Sequence, residues 1–210
     1  MLLLRTEKLP EGLDLQYEIK FDGYGALAMK SGGKVQLRSR NDNDFNVRYP
    51  GIVKALAPMP DETIIDGEVV ALDKDGKPSF NTLQNYGSAG APLHFYIFDL
   101  LILEGRDVMG EPLVKRRELL EKHVLPTLTE PIRYSPVLEA KLVDLIRSVK
   151  AQGLEGLVLS ADPANTSRVC GPAHDRRCGL IRARNLLLPD TRRQPRTSML
   201  WSSATTKAGN

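Results

Sequence analysis

The segment Leu93–Leu101, Leu-His-Phe-Tyr-Ile-Phe-Asp-Leu-Leu, is apolar almost throughout. It is too short for an independent helix and rich in aromatic and branched residues, so it reads as a strand. A strand with two apolar faces has to be covered on both sides. The segment is therefore expected to be a strand buried on both faces. Other strands surround it in sequence. Leu15 to Lys20 alternates, and Thr63 to Leu72 is rich in Ile and Val and closed by Asp73-Lys74-Asp75-Gly76. Gly25 to Lys30 and Lys34 to Arg38 read as a hairpin around Ser31-Gly32-Gly33, where glycine permits positive φ. Helical periodicity appears at Arg48 to Leu56. It returns at Pro112 to Val124, with Leu113, Leu120 and Val124 on one face. Glu139 to Gln152 places Leu142, Leu145, Ile146 and Val149 at helical spacing and stops at Gly153. The pattern predicts an α+β fold with mostly antiparallel sheets.

Hydrophobic residues make up 41% of the 210-residue chain, enough for a real core. No apolar run reaches the roughly 18–20 residues a membrane helix needs, and the short apolar start at Met1 is no signal peptide. The expectation is a cytoplasmic protein with no membrane partner. The formal net charge of +3 conceals a break. Residues 161–210 hold nine Lys or Arg against three Asp and no Glu, whereas residues 1–160 are net acidic. Both cysteines, Cys170 and Cys178, and the one tryptophan, Trp201, also lie beyond residue 160, where periodicity ends. The chain therefore divides into a folded region, 1–160, and an aperiodic basic tail, 161–210, expected to be disordered. Cys170, His174 and Cys178 make a weak zinc-ligand set in such a segment.

Five short segments carry chemistry. Lys20 ends a strand in Glu18-Ile19-Lys20-Phe21-Asp22-Gly23-Tyr24. A partly desolvated lysine held at a strand end can lose its proton and act as a nucleophile; alone, Lys-x-Asp-Gly is a weak signal and reads as a surface lysine before an Asp-Gly turn. Ser39-Arg40-Asn41 closes the hairpin. Asp66-Gly67-Glu68 places a carboxylate inside an apolar strand, where burial demands a partner. Phe98 sits in the buried strand, where core packing is the plain alternative. Glu155 precedes Gly156-Leu157-Val158 and has the plain reading of a surface acid after a helix.

In this order and spacing, the five segments resemble the ATP-dependent DNA ligase family, within the lysine-adenylating nucleotidyltransferases. The similarity runs from about Glu7 to Val158 and is to the ligase domain of bacterial end-joining ligases. It implies a nucleotidyltransferase (ATP-grasp-like) adenylation domain with flanking helices. Lys20 would attack the α-phosphate of ATP and carry AMP. Glu18 and the Ile19 backbone would read the adenine edge, and Phe98 would stack on the base. Glu68 would bind ribose hydroxyls and Arg40 the ribose-phosphate side. Glu155 would help hold Mg²⁺ or Mn²⁺. The implied substrate is nicked or broken double-stranded DNA, in a bacterial, nucleoid-associated repair setting that includes end-joining proteins. An RNA ligase or an RNA-capping guanylyltransferase is the sister alternative; Glu18 and the Phe98-Asp99-Leu100-Leu101 run favour DNA ligase.

The resemblance breaks in places. The family has Arg after Asp-Gly-Tyr, where this chain has Gly25, and Lys where this chain has Ser160. It also leads to a further basic motif and an OB domain, which residues 161–210 do not resemble. One deleted base near codon 158 accounts for everything but Gly25. Ancestral GTG GCT AAG, read V-A-K, becomes GTG CTA AGC, read V-L-S as at 158–160. In the displaced frame each codon has one free base. The permitted choices give A-K-R, then Y-E-P-G, then Q-K-M-R. Opposite Arg184 to Ala208 they give E-F-V-V-A-G-Y-T-P-S-A-K-N-F-D-A-L-V-F-G-Y-Y-E-G, which alternates like a strand pair and resembles the start of a ligase OB domain. The tail is then a translation of the wrong frame, and the chain an impaired ligase or a non-catalytic remnant.

Overall fold

The computed structural model describes residues 15–87, 90–161 and 182–184. Its elements in chain order begin with β1 (Leu15–Lys20), β2 (Tyr24–Ser31), β3 (Lys34–Ser39) and α1 (Pro50–Leu56). Next come β4 (Thr63–Ala71), α2 (Phe80–Gln84), β5 (Leu93–Leu103), β6 (Arg106–Asp107) and α3 (Leu113–Leu119). The last are β7 (Ile132–Tyr134), α4 (Leu142–Gln152), β8 (Gly156–Ala161) and β9 (Arg182–Arg184). None of the described helices is long and apolar enough to cross a membrane.

Two sheets form. The larger has six strands, ordered β3-β2-β4-β5-β6, with β7 pairing separately to β5. The smaller runs β1-β8-β9. The expected mixture of helices and mainly antiparallel strands is present, and β5·β7 is the parallel exception. The central strand behaves as its composition requires: Phe95, Ile97 and Leu100 enter the main core, while Phe98 faces a second cluster. The β4–β5 register shifts twice, between Ile64 and Ile65 and between Asp66 and Gly67.

The main core gathers Ala26, Ala28 and Leu37 from the hairpin, Ile52 and Leu56 from α1, and Leu120 and Val124 from the helical stretch after β6. That stretch is helical as expected from 113, but it widens into a π turn over Leu120–Val124 and tightens into a 3₁₀ turn at Leu125–Thr127. The last long helix begins at Leu142, three residues inside the expected start, and ends at Gly153. Leu145 and Val149 of α4 pack with Leu157 of β8 as a separate cluster. Three short elements, α2, β6 and β7, have no periodic signature because each spans at most about one and a half repeats. Arg182–Arg184 pairs with Val158–Ser160 at the small sheet's edge. The expectation of disorder for the rest of the tail, with Cys170, His174, Cys178 and Trp201, falls outside the described residues.

Candidate active site

The site is assembled where the two sheets meet. Strand β1 delivers Glu18, Ile19 and Lys20, and the turn Phe21-Asp22-Gly23 carries the chain across to β2. Two contacts fix that turn. The Phe80 amide donates to Asp22 Oδ2 at 3.2 Å. Gly23 lies so close to β4 that a Cβ there would stand 2.2 Å from the Val69 carbonyl oxygen and 3.1 Å from Glu68 Cγ. Only glycine permits this approach, and it brings the turn after Lys20 against Glu68.

Strand β8 lies antiparallel to β1, with Lys20 opposite Gly156 and Glu18 opposite Val158. Glu155 therefore stands one residue from the partner of Lys20, and the two side chains form an ion pair. The lysine side chain is 14% exposed. Ile19 packs into the cluster of Phe21, Val70 and Phe98. Phe21 stacks on Tyr96 with centroids 4.0 Å apart, and its ring lies 6.1 Å from that of Phe98. Lys20 thus has the Glu155 carboxylate against it, while Ile19 and Phe21, on either side of it in the chain, enter the aromatic cluster.

Glu68 is buried, as its place in an apolar strand predicts. It pairs across β4 with Gly25 of β2 on one side and Tyr96 of β5 on the other. Cross-strand neighbours share a face, so Gly25 and Glu68 belong to one surface. Gly25 is exposed, and nothing lies within 4 Å of an ideal Cβ there. Ser39 pairs with Ala26, which leaves Arg40, exposed just past β3, level with Gly25. Of the candidate residues, Lys20, Glu155, Glu18, Ile19, Glu68 and Phe98 are brought to the junction of the sheets. Arg40 stands at its outer rim.

Two buried arginines escape the sequence reading. Arg116 makes a two-pronged bond to Asp99, at 2.9 Å from Nε and 2.7 Å from Nη2, and donates to the Glu111 carbonyl. Arg117 bonds Glu18 Oε1 at 2.5 Å from Nη2, the Phe98 carbonyl at 3.2 Å from Nε, and Gln16 Oε1 at 3.2 Å from Nη1. A signal for them exists. The apolar face Leu113, Leu120, Val124 skips the inward positions three and four residues after Leu113, which Arg116 and Arg117 occupy. Beside this network, burial pushes the Tyr134 hydroxyl up to about 12, with Arg117 opposing and Glu121 assisting. Tyr134 stays neutral at any physiological pH.

A shared ancestry accounts for this arrangement. The family model described as ATP dependent DNA ligase domain matches residues 6–166. The multifunctional non-homologous end joining protein LigD of Pseudomonas aeruginosa is 36% identical over 156 residues, covering 73% of this chain and 18% of that protein. Its Mycobacterium tuberculosis counterpart is 41% identical over 106 residues, half of this chain and 14% of that one. A solved mycobacterial DNA ligase D, complexed with ATP and MES, superposes with a TM-score of 0.62 at 32% identity, covering 76% of this chain and 55% of that structure. The chain spans less than a fifth of these relatives' full length. Because the family model covers most of the chain and ends beyond Glu155, the chain belongs to the ATP-dependent DNA ligase family.

Proposed function

We propose that Lys20 is the nucleophile of an ATP-dependent self-adenylation, the first step of DNA end or nick sealing. The observation that carries this is the Lys20–Glu155 ion pair at the meeting of β1 and β8, with the neighbouring Ile19 and Phe21 in the cluster that holds Phe98. The neutral Lys20 amine attacks the α-phosphorus, a P–N bond forms, the bond to the bridging oxygen breaks, and pyrophosphate leaves. The amine's proton passes to solvent. Such transfers depend on positioning and charge neutralisation. Phe98 offers the ring for the base, Glu18 and the Ile19 backbone its edge, Glu68 the ribose hydroxyls, and Arg40 the phosphate side.

Mg²⁺ suits this donor set. Mg²⁺ binds through one or two carboxylates plus substrate phosphates, and Glu155 supplies a carboxylate beside Lys20. Glu155 is the residue to hold it, and the ion supplies neutralisation of phosphate charge. The adenylate would then pass to a 5′-phosphate of broken or nicked DNA in a bacterial end-joining setting, within the cytoplasm.

Incubating the full chain with ATP and Mg²⁺ and weighing it intact tests the reading. An added AMP in the parent, absent in Lys20→Ala, supports it. No adduct at any ATP concentration refutes it. Substituting GTP separates it from a guanylyltransferase.

A second reading, nucleotide binding without sealing, is favoured by Ser160. On β8 it pairs with Gln16 of β1, at the position where the family resemblance calls for Lys. We read residues 161–210 as out-of-frame. Resequencing codons 155 to 165 decides: a recovered base restores that lysine and an OB domain, while a true deletion leaves a domain limited to adenylation.

A further inference from the structure

We infer that Arg117 is a positioning residue for base recognition, acting from α3 through Glu18 and Phe98. The inference rests on the adenylation reading above. One buried guanidinium bonds the Glu18 carboxylate, the Phe98 carbonyl and the Gln16 amide oxygen. It thereby joins β1 of the small sheet to β5 of the large one, at the two residues assigned to the base. Guanidinium is planar, with its donors at fixed angles. Three bonds to it leave little rotation, so Arg117 sets the Glu18 carboxylate relative to the Phe98 backbone.

That geometry selects between purines. Adenine presents an amino donor where guanine presents a carbonyl acceptor. An ionised carboxylate only accepts. Held at a fixed angle to the stacking ring, it attracts the first and repels the second. Released, it can turn aside, and the penalty on guanine falls. Selectivity is thus a property of the clamp as well as of Glu18.

The neighbouring Arg116 is an internal control. It is equally buried and on the same helix, but its side-chain bonds go to Asp99, Met109 and Glu111. Loss of Arg116 should weaken the fold without touching the choice of base. Lysine at 117 keeps the charge and cannot span three acceptors.

The experiment compares the full-length parent, Arg117→Lys, Arg116→Lys and Gln16→Met. AMP and GMP adducts are followed by intact mass across ATP and GTP concentrations, with melting temperature alongside. For R117K we expect half-saturation by ATP to rise about tenfold and the ATP-over-GTP preference to fall about tenfold, the equivalent of one lost strong bond. R116K should melt earlier with its preference intact. Gln16→Met removes one bond at a half-buried position and should lower the preference about twofold to threefold, which decides the matter if R117K does not fold. A preference unchanged in R117K, or in Gln16→Met where R117K fails to fold, overturns the inference; so does an equal loss in R116K. Parent chain that takes no AMP overturns the adenylation reading and this inference together. Parent that labels, beside an R117K that discriminates as well, overturns the inference alone.

Discussion

Replacing Gly25 with arginine should tighten nucleotide binding. The surface of Gly25 faces open space, with nothing within 4 Å of where Cβ would stand, so the longer side chain meets no steric cost. The position lies directly across from Glu68 on β4 and level with Arg40, in a row that crosses three strands. On the proposed assignment, in which Glu68 takes the ribose and Phe98 the base, a guanidinium in that row would reach the ribose-phosphate side. Charge-assisted hydrogen bonds contribute about 1.5–3 kcal/mol each, which is roughly ten- to a hundredfold in Kd. Part of this is offset because the new arginine also pairs with Glu68, so the lower end is expected. Removing a strand glycine adds about 0.5–1 kcal/mol of stability by itself, and Gly25→Met isolates that contribution. Calorimetric titration with ATP, in a Lys20→Ala background where no transfer occurs, reads the affinity directly. The reasoning is refuted if Gly25→Arg folds and binds ATP no tighter than the parent, or if Gly25→Met tightens binding as much.

Other consequences follow from the packing. Asp99→Ala leaves Arg116 buried without its carboxylate, so urea unfolding should show a loss of about 3–5 kcal/mol; a loss below about 1 kcal/mol would show that the pair contributes little. Gly67→Ala puts a methyl 2.5 Å from the Tyr96 carbonyl oxygen and 2.6 Å from the Phe95 ring. Overpacking of this kind costs about 1–3 kcal/mol, and an unchanged melting temperature would contradict the geometry. His94 is buried, and burial, aided by Arg133, holds its imidazole below the usual range. The unfolded chain then binds the proton more readily, so stability should fall as pH drops below about 6.5. His94→Gln should flatten that part of the profile, and a parent whose stability is flat between neutral pH and about 5 would refute the assignment.

The parts of this molecule legible in sequence share one property: their signal is local. Lys20 is marked by the short run in which a strand ends at Lys-x-Asp-Gly, and gains its meaning only beside the four segments that follow it in order; Gly23 proves indispensable for a reason visible only in three dimensions, the Val69 carbonyl pressed against it. Glu68 is found because a carboxylate in an Ile/Val strand is anomalous. The central strand is found because its composition has no other use. What stayed hidden is non-local. Arg117 lies 99 residues from Glu18, and an arginine in an amphipathic helix reads as solvent-facing. The tell was an absence, since the apolar stripe of that helix misses the two inward positions that a heptad requires. A helix whose stripe is interrupted by adjacent arginines has to bury charge, and buried charge has to find carboxylates. Only a few acids sit in apolar strands here, and Glu18 and Asp99 are two of them. The pairing was therefore implicit in the chain, as a matching of misplaced bases to misplaced acids. The same reasoning bears on the proposed base site: burying an ion pair is costly, and Arg117 joins the two sheets through Glu18 and the Phe98 carbonyl, the residues proposed to meet the base.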